Sequence, residues 1–142
     1  MKKYFLNILR EWLNINIPFN AANEALMNKW DDIMVPYSNE AKFQQQNKLF
    51  FAKNRIRDAV PSDGYMCSEV IITALQKAFL IKFGSIEKMP NSLCLDPILC
   101  PPSTMMLGLS RDSKNFQIVG ELVVPNFTFN QQERKLHNKQ HE

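Results

Sequence analysis

The sequence predicts a helix-rich α+β fold, on three observations. Four segments carry apolar residues at helical spacing, and the one from Cys67 to Phe83 is apolar around most of its circumference. Only Phe116-Gln117-Ile118-Val119-Gly120-Glu121-Leu122-Val123-Val124 has the β-branched composition of a strand, with a glycine suited to a bulge. The 142 residues suit one domain by size, expected over residues 1–129, with 130–142 as a polar tail.

The first helix is expected from the adjacent pairs Tyr4-Phe5, Ile8-Leu9 and Trp12-Leu13, and it should end near Asn14. Lys2, Lys3 and Arg10 around that stripe would suit a membrane surface, yet Arg10 beside Glu11 favours a packed surface helix. Asn16-Ile17-Pro18-Phe19-Asn20 is a turn, because Pro18 disfavours helix for the residue before it. A second helix, about Asn23 to Met34, carries Leu26, Met27, Trp30 and Ile33 and stops at Val35-Pro36. A third is expected from about Asn39 to Val60, polar through Gln44-Gln45-Gln46-Asn47 and basic at its end with Lys53, Arg55 and Arg57. Cations there complement the helix dipole, so the segment reads as a solvated helix end rather than a nucleic-acid contact.

Pro61-Ser62-Asp63-Gly64 is a loop by its turn chemistry. The apolar helix that follows should end at Gly84, a natural C-cap. From Ser85 to Thr104 the prolines at 90, 97, 101 and 102 predict irregular chain, with Leu99 and Met105-Met106-Leu107 packing over the core. Trp12 and Trp30 are expected as core or interface anchors.

Composition narrows the function classes. With 45% hydrophobic and 22% charged residues the chain is not a disordered charged tail, and a net charge of +3 points to no nucleic acid. Four glycines, where an average usage of ~7% would give about ten, argue against a Gly-rich nucleotide-binding fold. The apolar run after Met1-Lys2-Lys3 is broken by Asn7, Arg10 and Glu11, so neither a signal peptide nor an integral membrane segment is expected. Three cysteines fit reduced thiols in an intracellular, cytoplasmic setting. Cys94 and Cys100 flank Asp96 without two histidines nearby, so they read as packed loop thiols and neither metal nor cofactor is expected.

The chemistry-bearing candidate is Cys67, in Tyr65-Met66-Cys67-Ser68-Glu69-Val70-Ile71. A thiol in the first turn of a helix feels the positive end of the dipole, which favours its thiolate. Backbone N–H groups left over at that terminus can donate to a developing oxyanion. Tyr65, Ser68 and Glu69 frame the thiol, with Glu69 placed to cap the helix or orient a partner.

These residues resemble the cysteine motif of the circularly permuted papain-like hydrolases, the NlpC-like group that includes YiiX-type and lecithin:retinol-acyltransferase-like branches. Its usual form is aromatic-x-Cys-Ser-Glu-Leu-Val before an apolar helix. Leu9-x-x-Trp12-Leu13 through Asn20 is similar to the helix and turn preceding that motif, with Asn16 in place of a glycine. Cys100-Pro101-Pro102-Ser103-Thr104-Met105 and Phe116-Gln117-Ile118-Val119 are similar to its later loop and closing strand. The resemblance implies the cysteine-bearing, C-terminal half of a papain-like domain, with Cys67 as a thiol nucleophile on a peptide, amide or lipid ester. It also implies a histidine upstream of the cysteine. No histidine precedes Cys67, and His137 and His141 lie in the polar tail. The sequence therefore leaves three readings open. They are a fragment whose complementary strand-bearing half is absent, a degenerate member kept for binding or homo-oligomeric assembly, and an unrelated helical interaction protein with Cys67 in its core.

Overall fold

The computed structural model describes residues 1–15, 17–56 and 64–117. Among the described residues five helices follow one another: α1 Lys2–Ile15, α2 Ala21–Met34, α3 Asn39–Lys53, α4 Cys67–Phe83 and α5 Pro102–Arg111, with a 3₁₀ turn at Asn91–Leu93 before α5. The expectation of an α+β, papain-like half-domain is overturned. Among the described residues there is no strand, only an isolated parallel bridge between Phe19 and Tyr65. Of the expected strand, Phe116 and Gln117 are not extended in a ladder, and 118–124 lie outside the described residues, as do 130–142.

α4 is the centre because its sequence leaves it no polar face. Ala74 and Ala78, with no side chain beyond Cβ, let α1 approach closely, and Ile8 and Trp12 of α1 pack on them. A second side of α4 presents Leu75 and Phe79 to Phe50, Ile56, Met89, Leu93 and Cys94. Ile72 meets Leu95, Cys100 and Met105 on a third. The helix stops where Gly84 takes the left-handed conformation, φ 75°, and returns its N–H to the Leu80 carbonyl.

The chain between α4 and α5 is irregular, yet it is buried from Ser92 to Asp96. Buried carbonyls need donors, and without a sheet the donors here are the backbone N–H groups of local turns and side-chain amides. Gln76 Nε2 donates to the Leu93 and Leu95 carbonyls, both at 2.9 Å. Asn47 Nδ2 donates to those of Asn91 and Cys94 at 3.0 and 2.8 Å. Gln46 Nε2 donates to Leu99 O at 3.2 Å while its Oε1 accepts from the Asp96 N–H at 3.0 Å. Asp96 in turn accepts from the Ile98 and Leu99 amides and from Lys53 Nζ at 2.8 Å.

Three boundaries differ from expectation for local reasons. α3 ends at Lys53, not Val60, because Asn54 adopts the left-handed conformation at φ 47°, which asparagine tolerates better than most residues. Lys53 is consequently an ion-pair partner of buried Asp96 rather than a solvated cation. α5 occupies a stretch expected to remain irregular through Thr104. Pro102 stands at its first position, where a missing N–H costs nothing. Of the basic cluster, Arg57 lies outside the described residues. No helix among the described residues is long and apolar enough to cross a membrane.

Replacing Gln76 by Leu keeps the volume, orphans the buried Leu95 carbonyl and leaves the Leu93 carbonyl only the Leu95 N–H at 2.9 Å. Urea unfolding should report a loss of about 1–3 kcal/mol, the cost of one unsatisfied buried group.

Candidate functional site

The turn before α4 is set by two backbone bonds across the chain. Tyr65 N–H donates to the Pro18 carbonyl at 3.1 Å, and Asn20 N–H donates to the Tyr65 carbonyl at 3.0 Å. Gly64 makes this approach possible. Its φ is 97°, and a Cβ there would sit 2.2 Å from the Pro18 carbonyl oxygen. The same Asn20 caps α2, its side chain accepting from Asn23 N–H at 3.0 Å. The N-termini of α2 and α4 are thus brought side by side.

Met66, the N-cap of α4, has no hydroxyl or carboxamide with which to cap the helix. Glu69 closes the turn instead. Its Oε1 accepts from Met66 N–H at 2.9 Å and from Asn23 Nδ2 at 3.0 Å, with the side chain fully buried. Ser68, also buried, donates its hydroxyl to the Cys100 carbonyl at 2.7 Å and so ties the first turn of α4 to the loop before α5. The Tyr65 ring lies 6.4 Å from that of Trp12, tilted by 33°.

Ser68 and Glu69 therefore point inward and hold the backbone, Tyr65 is half-buried beside Trp12, and Cys67 is exposed. Its Sγ lies 3.8 Å from Met66 Sδ. The two other thiols are buried. Burial pushes Cys94 up to about 11, and burial together with the Asp96 carboxylate pushes Cys100 higher still. Position thus separates one accessible thiol from two that stay protonated.

Beside the motif, Tyr65 and Val70 form one wall of an apolar hollow of about 310 Å³, with Leu6, Leu9 and Trp12 of α1 opposite and Arg10 at the edge. Trp12 Nε1 is buried there without a hydrogen-bond partner among the described residues. Sequence reasoning placed Trp12 as an anchor but found neither the hollow nor Asn23. The Asn23–Glu69 bond spans 46 residues and leaves no local signature. Asn20, a helix-capping type after a proline turn, was the one available clue. His137 and His141 lie outside the described residues. Among the described residues no group of three or more His, Cys, Asp or Glu side chains is disposed to hold a metal ion.

Comparison of the chain with protein-family models, curated proteins and solved structures finds no match.

Two outcomes follow from the thiol environments. Iodoacetamide at neutral pH should alkylate Cys67 well before Cys94 or Cys100, as read by peptide mass spectrometry. Both buried thiols hold their protons more firmly in the folded chain than in the unfolded one. Their contribution to stability is complete below pH 9.0 and is lost as pH rises through about 11 for Cys94, and higher for Cys100. Urea midpoints should therefore fall more steeply above pH 9.0 in the wild type than in a Cys94→Ala/Cys100→Ala variant.

Proposed function

We propose that the protein is a thiol-dependent acyl hydrolase or acyl-transfer enzyme with Cys67 as nucleophile. The observation that carries this reading is the accessible Cys67 thiol at the first position of α4, on a turn fixed by Glu69 and Ser68. Its resemblance to the permuted papain-like hydrolases rests on that motif and no longer on the fold. Cys67 Sγ attacks the carbonyl carbon of an amide or ester, and the first-turn N–H groups of α4 stabilise the oxyanion. Collapse forms the thioester and expels the amine or alcohol, which takes up a proton. Water then hydrolyses the thioester, releasing the carboxylic acid and restoring the thiol. The hollow lined by Leu6, Leu9, Trp12 and the motif's Tyr65 and Val70 supports an apolar acyl or side-chain group in the substrate. No histidine belongs to the described residues, and loss of general-base assistance lowers turnover by ~10²–10⁴.

A second, non-enzymatic reading has its own observation. Leu26, Ile33, Val35 and Tyr37 on and just after α2 are each at least half exposed, and α2 makes no helix pairing comparable with that of α1 on α4. An assembly protein would use such a face, through a second copy or another chain.

An activated ester separates the two. With p-nitrophenyl acetate the full chain should give a stoichiometric burst of nitrophenolate followed by slow turnover, and Cys67→Ser should abolish the burst. A burst that survives Cys67→Ser, or none in the wild type, overturns the enzymatic reading. For the assembly reading, sedimentation should show self-association that Ile33→Asp weakens, and a wild-type monomer would count against assembly through a second copy.

A further inference from the structure

A hollow of about 530 Å³ lies away from Cys67, at the C-terminal end of α4. Its floor is apolar, formed by Met1, Phe79, Phe83, Pro90 and Leu93, and its rim carries Lys82, Lys88 and Lys114 with Asn115. No carboxylate among the described residues lines it. None of the three lysines has an ion-pair partner among the described residues, in contrast to Lys53 and Arg111, which pair with Asp96 and Glu40. Asp112 does not line the hollow; its carboxylate adjoins the rim, accepting from Ser92 Oγ at 2.6 Å and from Asn115 Nδ2 at 3.0 Å. Three lysine side chains thus border one apolar hollow that no carboxylate among the described residues lines, a setting that favours an anion.

The floor says what else the anion carries. Phe79 and Phe83 lie with ring centroids 4.5 Å apart, and Phe83 is 55% exposed, a large aromatic surface left open to solvent. The Lys82 ammonium rests 5.3 Å above the Phe83 ring, so the charged and aromatic surfaces adjoin. Asn115 Nδ2 donates to both oxygens of Asp112 at 3.0 Å, and the Asn115 carboxamide lines the hollow. The volume lies within the ~300–1,000 Å³ range of small-molecule sites.

We propose that this hollow binds a small phosphorylated aromatic ligand of the mononucleotide class. The ring packs against Phe83, and the phosphate oxygens accept from Lys82, Lys88 and Lys114. Lysines serve phosphate as flexible point charges, so the Gly-rich loop that this composition lacks is not required. The site is separate from Cys67, and its occupancy does not depend on the thiol chemistry.

Calorimetric titration of the full chain tests the assignment with ADP, adenosine and inorganic pyrophosphate. Saturable ADP binding is expected, with adenosine and pyrophosphate each weaker by at least about tenfold, the loss of one charge-assisted hydrogen bond or its equivalent. Lys82→Gln/Lys114→Gln should weaken ADP by a similar factor, and Lys48→Gln, an exposed lysine on α3, should not. Phe83→Ser should weaken ADP while leaving pyrophosphate unchanged. These lysines and Phe83 are exposed, and circular dichroism verifies that each variant is folded. Absence of saturable ADP binding overturns the proposal. So does pyrophosphate binding as tightly as ADP, or a double lysine variant that matches Lys48→Gln.

Discussion

Carbonyl oxygens buried without a neighbouring strand must find donors in local turns or on side chains, and this constraint organises the protein. Gln46, Asn47 and Gln76 supply the donors to the loop between α4 and α5, two of them from α3 and one from α4. The loop is thereby a structural layer in its own right. It buries Leu93, Cys94 and Leu95 in two of the three apolar clusters and links α3 to α4, which pair less directly with each other. The Ser68–Cys100 bond extends the arrangement to the head of α4, so the frame of the candidate site rests on the same loop.

That frame divides labour among neighbouring residues. Ser68 and Glu69 are consumed in holding backbone, Tyr65 in the bridge to Phe19 and the contact with Trp12, and Cys67 remains exposed. A carboxylate locked by a backbone N–H and an asparagine amide is a poor candidate for moving protons. Its service is geometric: it fixes the first turn of α4 and seats α2 beside it. The exposed thiol and the two buried ones then differ through burial rather than through residue type.

How much of this was readable in advance depended on whether the signal was local. α4 was legible to the residue at both ends, because a polar turn and Gly84 bracket one apolar run. Cys67, Ser68 and Glu69 were legible for the same reason, as a contiguous motif. Gln46 was not: a glutamine among glutamines reads as helix surface, and polarity alone does not tell a solvated amide from a buried one satisfying carbonyls. α5 was hidden by prolines that break a helix in its interior but open one at its first turn. The α+β expectation rested elsewhere, on a strand over 116–124, of which only Phe116 and Gln117 belong to the described residues; no strand is found among the described residues.

The packing of α1 on α4 also bears on how the chain is made. Trp12 leaves the ribosome about sixty residues ahead of Ala74, the alanine it will cover. At roughly 5–20 residues per second, α1 waits about 3–12 s with Ile8 and Trp12 facing water. During that interval it is an amphipathic segment without a seat, and a chaperone is the natural tenant of its apolar stripe until α4 emerges.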